Sequence, residues 1–314
     1  MTETDLQKSI YSDKYKELFQ QSWGISIDEF QAMNSKGIEI KQYRKEDYIP
    51  TFHSLQPKNF EEYVGQEHIK EILNLEIQGC SRKNIPLRHI LLYGGAGLGK
   101  TSLAKIIAKE ADKPFFEITS SGLDNIEKLL DLIEKINTIN ISGSILFLDE
   151  IHCLKREIQT HLYSLMTDNR ITITKEKQVE SIDVVPLTII GATTYAGELD
   201  SAFKSRFSLP LKLCDYSTKE MKKILQNAIR RLEYEVEDNA LNLLALSCRN
   251  SPRVANNLIV SASRLTEHCI TKYDVEKIFR MIKIYPDGLE IPHIRLLHAL
   301  FTSEKGNLGL NTLA

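Results

Sequence analysis

Apolar and polar positions divide the chain into stretches of different periodicity. Residues 1–54 are mostly polar and charged, and we expect a peripheral N-terminal extension there. From 55 to 215, short apolar runs alternate with segments of helical periodicity, which predicts parallel strands covered by helices on both faces. The predicted strands are Ile90–Tyr93, Phe115–Thr119, Ile145–Leu148 and Thr188–Ala192.

The remaining segments differ from this alternation. Arg170–Thr174 and Ser181–Val184 alternate with a period of two, which predicts a hairpin inserted before the last strand. Residues 216–284 show helical spacing only, so we expect a small all-α domain made of four helices, each of which begins with a capping-type residue: Ser217–Leu232, Asp238–Ser247, Ser251–Glu267 and Thr271–Ile282. A turn at 285–288 and a helix at Pro292–Phe301 follow.

Composition narrows the function classes only slightly. The chain has 40 Lys and Arg against 42 Asp and Glu, a formal net charge of −2, which excludes a strongly basic domain but not a local basic edge. Its five cysteines form no C-x-x-C pair, so neither a disulfide framework nor a zinc site is indicated. The first residues lack the apolar stretch of a signal peptide, and no apolar run approaches the ~20 residues of a membrane span. We therefore expect a cytoplasmic protein without a membrane partner.

The strongest motif for chemistry is Gly94–Thr101, which fits G-x-x-x-x-G-K-[ST] between a predicted strand and a predicted helix. Gly94, Gly97 and Gly99 allow the backbone to curl so that its N–H groups point at phosphate oxygens. Lys100 offers a positive charge to the β- and γ-phosphates, and Thr101 offers a hydroxyl to Mg²⁺. The motif predicts a P-loop that binds ATP or ADP with Mg²⁺.

Polar side chains follow two other predicted strands. Asp149 and Glu150 come after a buried strand, at the edge where open α/β sheets bind ligands. Asp149 is expected to hold the Mg²⁺ shell and Glu150 to act as general base on the attacking water. Thr193 and Thr194 end the strand at 188–192, and a hydroxyl there can sense the γ-phosphate, although threonine is common in strands.

Two arginines, Arg206 and Arg253, leave two interpretations open. Each can be a surface salt bridge worth ~0–1 kcal/mol. Each can instead neutralise charge on the transferred phosphoryl group, an effect worth ~10³–10⁵ in rate for an arginine finger. The two residues alone favour the surface salt bridge.

Taken together, these motifs resemble the RuvB family of AAA+ ATPases, which drive branch migration of Holliday junctions. The resemblance covers roughly residues 55–314, and its most specific parts are the Gly-Ala-Thr-Thr and Ser-Pro-Arg-Val-Ala-Asn runs. It rests on these stretches of sequence: Phe60–Gln66, Leu148–His152, Leu162–Met166, Ile190–Thr194, Ser251–Asn256 and Gly309–Ala314.

The resemblance implies an AAA+ P-loop core at 55–215, a helical lid at 216–284, and a linker and partial winged helix at 285–314. It implies Thr194 as sensor 1, Arg206 as a finger that reaches the neighbouring subunit's site, and Arg253 as sensor 2. Besides the P-loop, Leu55, Ser102 and Tyr216 would line the nucleotide pocket. It further implies a homo-hexameric ring on duplex arms of junction DNA, with a RuvA-like protein docked on the hairpin near 170–184.

Several positions depart from the family pattern without removing a catalytic group: Gln56, Gly95, Ala96, Tyr195 and Lys204. The resemblance also implies a winged helix that continues beyond the point where this sequence stops. Two alternatives therefore stay open at this stage. One is a RuvB-like nucleotide-binding subunit that serves as an interaction module without moving strands. The other is a different AAA+ ATPase of DNA metabolism, such as a clamp-loader-like protein, against which the hairpin argues.

Overall fold

The structure is a computed structural model that describes residues 55–139, 143–175, 178–266, 268–284 and 288–302. The predicted extension at 1–54, most of the turn at 285–288 and the terminal residues 309–314 lie outside the described residues.

The central sheet consists of β1 (Ile90–Tyr93), β2 (Phe115–Thr119), β3 (Ser144–Asp149), β6 (Leu187–Thr193) and β7 (Leu209–Lys212). These five strands are parallel and lie in the order β2-β3-β6-β1-β7. The four predicted strands are all present, two of them extended at both ends. β7 was not predicted: it is an edge strand of four residues with alternating burial, and Pro210 removes one backbone donor from it.

Helices cover both faces of this sheet, as the continuous apolar runs predict. Within β1, Ile90 and Leu92 belong to one buried apolar cluster and Leu91 to the other, because successive side chains of a strand point to opposite faces. Phe147 and its neighbour Leu146 divide in the same way in β3. The helices of this part are α1 (Glu67–Lys83), α2 (Lys100–Glu110), α3 (Ile126–Ile139), α4 (Arg156–Asp168) and α5 (Ser201–Ser205).

The predicted hairpin is present between α4 and β6. Its strands, β4 (Arg170–Lys175) and β5 (Gln178–Asp183), pair antiparallel. At the base, Arg170 Nε lies 2.7 Å from Asp183 Oδ1, and Ile171 is fully buried. The buried isoleucine anchors the hairpin on the core, while the ion pair is exposed on the surface.

The C-terminal part of the described chain is helical. Two of its helices begin with capping boxes, formed by Ser217 with Glu220 and by Thr271 with Asp274, which satisfy orphan N–H groups. The expectation of helices alone is wrong in one respect, since β8 (Glu235–Val236) and β9 (Cys269–Ile270) pair in parallel. The helices are α6 (Thr218–Arg231), α7 (Asp238–Ser247), α8 (Pro252–Ser263), α9 (Lys272–Ile282) and α10 (Ile291–Thr302). None of the helices in the described ranges is both long enough and apolar enough to span a bilayer.

Candidate nucleotide-binding site

A cavity of about 300 Å³ opens among the P-loop, the segment before α1 and the helices α6 and α8. Its lining includes the P-loop that follows β1 and the carboxyl end of β3, and these two strands flank β6 in the sheet, so the cavity occupies the ligand-binding edge of an open α/β fold. Most of the predicted site residues line it: Leu55, Gly97, Gly99, Lys100, Thr101, Ser102, Asp149, Glu150, Tyr216 and Arg253.

The P-loop sequence produces its curled shape through glycine. Gly97 has φ of +78°, and a Cβ added there would lie 2.5 Å from Ser251 Oγ and 3.1 Å from Arg253 Cβ. The loop therefore approaches the start of α8 more closely than any side chain allows. Because α2 begins at Lys100, its free N–H groups and positive dipole end lie at the cavity, where an anion is stabilised.

Gly94 lies on the side of the P-loop that faces away from the cavity, against Leu213. It does not line the cavity; its φ is +147°, and a Cβ there would lie 2.5 Å from the carbonyl oxygen of Leu213. The glycine permits close packing against the chain that follows β7. Its carbonyl accepts a hydrogen bond of 3.0 Å from Lys100 Nζ. Direct contact of Gly94 with a nucleotide stays a prediction.

Lys100 is the charged centre of the loop. It is buried, and its ammonium donates to the carbonyls of Gly94 and Gly95 at 3.0 Å each. Burial lowers the pKa of Lys100, while the carboxylates of Glu150 and Asp149 oppose this shift. A polyphosphate in the cavity would favour the charged form in the same way as these carboxylates.

Asp149 and Glu150 sit at the end of β3, within the cavity. Glu150 adopts a left-handed backbone (φ 51°), and its N–H donates to Asp149 Oδ1 at 3.0 Å. Burial raises the pKa of Asp149, and the neighbouring charge of Glu150 raises it further. Two adjacent carboxylates in a half-buried site are stabilised by a cation, which reverses the shift.

Thr194 lies immediately after β6 and does not line the cavity, but its hydroxyl donates to Glu150 Oε2 at 3.3 Å. His152 contacts the same oxygen, with Nδ1 at 3.3 Å, and the same Nδ1 is 3.0 Å from Thr193 Oγ1. The structure therefore joins the two strand ends through Glu150. His152 was not predicted as a site residue, although it follows Glu150 by only two residues.

Tertiary contacts shape the far end of the cavity. Arg231 of α6 donates to the carbonyl of Leu55 at 2.6 Å and to Glu62 Oε2 at 2.7 Å, so it ties the lid helices to the segment before α1. Tyr216 donates to the carbonyl of Leu98 at 2.9 Å and fixes the P-loop from the other side. Glu62 and Arg231 were not predicted, because no local pattern links residues so far apart in sequence.

Arg253 and Arg206 are placed differently. Arg253 lines the cavity at the start of α8. Arg206 is exposed outside it, and its guanidinium lies over the ring of Tyr163, 5.7 Å from the centroid. Tyr163 in turn packs edge-on against the buried Phe203, with centroids 5.5 Å apart. The structure brings only the first of these arginines to the site within one chain.

A five-stranded parallel sheet, a P-loop, carboxylates on a nearby strand and a helical lid with an arginine at the pocket define an AAA+ P-loop ATPase. The family described as "Holliday junction DNA helicase RuvB P-loop domain" matches residues 55–213. This chain belongs to the RuvB family.

Individual relatives support this assignment. A protein of Phytoplasma mali named "Holliday junction branch migration complex subunit RuvB" is 35% identical over 275 residues, covering 83% of this chain and 80% of the relative. One of the same name from Kosmotoga olearia is 36% identical over 271 residues, covering 83% and 78%. The structure described as the Thermotoga maritima RuvB Holliday junction branch migration motor superposes with a TM-score of 0.71 at 32% identity, covering 83% of this chain and 84% of that one.

Two positions that depart from the family pattern, Gln56 and Ala96, line the cavity. A third, Tyr195, is exposed and packs edge-on against His152, with ring centroids 5.1 Å apart. These three departures therefore fall beside the predicted catalytic groups without replacing any of them.

Proposed function

We propose that this chain is an ATP-driven motor that moves Holliday junctions, the activity for which its RuvB relatives are named. The observation that carries the proposal is the single cavity that brings together a P-loop, two strand-end carboxylates and an arginine of the lid. ATP hydrolysis at such a place can change how the lid sits on the core, because both lid and core line the pocket. This is the physical requirement for converting turnover into movement.

Each of the cavity residues is proposed to have a distinct role in phosphoryl transfer. N–H groups at the start of α2 and the ammonium of Lys100 bind the β- and γ-phosphates. Glu150 accepts the proton of the attacking water, and Thr194 holds the carboxylate of Glu150. Arg253 contributes positive charge from the lid.

Thr101 and Asp149 are the residues that would hold Mg²⁺. Both line the cavity, and a hydroxyl and a carboxylate are the oxygen donors that Mg²⁺ takes alongside phosphate oxygens and water. No cluster of three or more acidic, His or Cys side chains suited to a metal occurs in the described ranges, which fits an ion held largely by substrate. When bound there, Mg²⁺ would neutralise negative charge on the phosphates.

Arg206 is proposed to act in trans. It is exposed and outside its own chain's cavity, and its guanidinium lies over the ring of Tyr163, which packs on the buried Phe203. A homo-hexameric ring would bring this guanidinium to the neighbour's γ-phosphate, so that each site is completed by two chains.

Further parts of the proposal rest on the family. The β4–β5 hairpin projects from a buried anchor at Ile171 and is proposed to dock a RuvA-like protein. Junction DNA is the proposed substrate and the cytoplasm the proposed location. The division into an extension (1–54), a core (55–215), a lid (216–284) and a partial winged helix (285–314) belongs to the same proposal.

A mixing experiment tests the central chemistry and the trans arginine together. Glu150→Gln and Arg206→Ala are co-expressed with different tags, and mixed assemblies are purified through both. Arg206→Ala alone should lower ATP turnover by roughly 10³-fold or more, and Glu150→Gln alone by roughly 10²–10⁴-fold. In a randomly mixed ring, about one quarter of interfaces join an intact Glu150 to an intact Arg206, so turnover should recover toward that fraction of the parent.

Activity of the Arg206→Ala variant alone would show that this arginine is a surface residue. If mixed assemblies stay inactive although each variant binds ATP, Arg206 does not act on the neighbouring subunit's site: it acts in its own chain or takes no part in hydrolysis. Four-way junction unwinding with a RuvA-like protein completes the test. Normal turnover without strand movement would favour the interaction-module alternative.

A further inference from the structure

Glu150 is held at only one of its two carboxylate oxygens. Thr194 Oγ1 and His152 Nδ1 each lie 3.3 Å from Oε2. In the described part of the chain no hydrogen-bond donor is seen on Oε1. The carboxylate is therefore fixed in orientation, and one oxygen remains available to take a proton.

His152 is itself fixed by two neighbours, the hydroxyl of Thr193 and the ring of Tyr195. Its Nδ1 is 3.0 Å from Thr193 Oγ1, and Thr193 is fully buried at the end of β6. The same hydroxyl accepts the N–H of Tyr195 at 3.0 Å, and the Tyr195 ring meets the imidazole edge-on. With 14% of its side chain exposed, the imidazole has little freedom to turn away from Glu150.

These contacts also select the tautomer. A carboxylate oxygen 3.3 Å from Nδ1 favours the form in which Nδ1 carries the proton, because a lone pair facing that oxygen would be repelled. In this form Nδ1–H donates to Thr193 Oγ1 at 3.0 Å, and the same positive N–H group lies 3.3 Å from Glu150 Oε2. The imidazole then acts as a donor that links β6 to the carboxylate.

We propose that His152 is a positioning residue for ATP hydrolysis: the Thr194 hydroxyl donates to Oε2, and the Nδ1–H of His152, fixed on Thr193, attracts the same oxygen electrostatically, which leaves Oε1 to accept the proton of the attacking water. The water O–H bond breaks as its oxygen bonds to the γ-phosphorus. The bond from that phosphorus to the β,γ-bridging oxygen breaks and releases ADP, and His152 neither gains nor loses a proton. The inference rests on the proposed role of Glu150.

Two substitutions of His152 separate positioning from packing. In His152→Asn the side-chain amide nitrogen occupies nearly the place of Nδ1, whereas in His152→Gln it reaches toward the place of Nε2. We expect His152→Gln to lower kcat by roughly 10–100-fold with KM for ATP and ADP affinity nearly unchanged, because a misplaced base costs up to ~10²-fold. His152→Asn should recover most of that loss.

A second pair keeps the test independent of how the imidazole packs. Thr193→Val removes the hydroxyl that anchors His152 but keeps the shape of the side chain, and it should lower kcat in the same direction. Thr193→Ser keeps the hydroxyl and should lose far less. Melting temperature and ADP binding are measured for all four variants of the full chain.

The outcomes are distinguishable from failure of the proposed function. If Glu150→Gln turns over ATP like the parent, the assignment of the base is wrong. If Glu150→Gln is inactive but His152→Gln and Thr193→Val keep the parent's kcat, the positioning role is refuted. Equal loss in His152→Asn and His152→Gln, accompanied by a lower melting temperature, would likewise reduce His152 to a packing residue.

Discussion

Replacing Gly97 by alanine adds one methyl group where the P-loop meets the lid. At φ of +78° an L-residue pays roughly 1–2 kcal/mol for the left-handed backbone. The added Cβ would also stand 2.5 Å from Ser251 Oγ and 3.1 Å from Arg253 Cβ, so the Ser251 side chain must turn and the start of α8 must shift slightly. We expect melting to fall by about 2–8 °C. Because Arg253 moves with α8, kcat/KM for ATP should fall on the order of 10²-fold.

The chain offers a matched control for this change. Gly79 lies inside α1, and a Cβ added there meets nothing within 4 Å. The same substitution, Gly79→Ala, should stabilise the protein by roughly 0.5–1 kcal/mol through helix propensity and leave ATP turnover unchanged. Differential scanning calorimetry should therefore show a lower melting temperature for Gly97→Ala and a higher one for Gly79→Ala. Steady-state ATPase assays should show a loss of activity for Gly97→Ala only.

A double-mutant cycle identifies the clash. Ser251 makes no side-chain capping bond to α8, so Ser251→Ala alone should cost little. In the double variant, Ser251→Ala removes the 2.5 Å contact between the new Cβ and Ser251 Oγ. It does not remove the energetic cost of a left-handed backbone at residue 97 or the close approach to Arg253 Cβ. Partial recovery, with a coupling of about 0.5 kcal/mol or more, is expected. A Gly97→Ala protein as stable and active as the parent would refute the close approach of loop and lid.

Two further predictions concern other parts of the structure. Arg231→Met should cost about 1 kcal/mol, since Glu62 is partly exposed and the pair is screened. Burial alone would raise the pKa of Glu62, but the Lys58 N–H and Arg231 outweigh it and lower the pKa below 4.5. The stabilisation by this ion pair is therefore present above pH 4.5 and is lost as the pH falls through the folded-state pKa of Glu62. The melting temperatures of the parent and of Arg231→Met should converge at that low pH, and a difference in melting temperature that does not change with pH would contradict the ion pair. Burial raises the pKa of the Cys248 thiol to about 11. At pH 8 a thiol reagent should therefore label the exposed Cys153 and Cys214 but not Cys248 until the protein unfolds, which mass spectrometry would measure. Rapid labelling of Cys248 in the native protein would contradict its burial.

Local sequence was sufficient wherever chemistry depends on neighbours along the chain. Gly94–Thr101 contains the loop, the lysine and the helix start in one run, and Asp149 and Glu150 follow directly from a buried strand. Apolar runs of strand length predicted both buried faces of the sheet, because the hydrophobic effect acts on each side chain independently of topology. These features of the sequence are sufficient to define the class of protein, a P-loop ATPase with a parallel sheet.

Other features required the tertiary structure, because their partners are distant in sequence. The strand order places β6 between β1 and β3, and this order brings Thr193 and Thr194 to His152 and Glu150, over forty residues earlier. The Arg231–Glu62 pair joins residues 169 apart. The β7 strand pairs only because β1 presents a free edge to it, which a four-residue segment cannot reveal. The sequence by itself determined which groups can handle a triphosphate; the packing of sheet and lid decided which of them meet, since hydrogen bonds act only over about 3 Å.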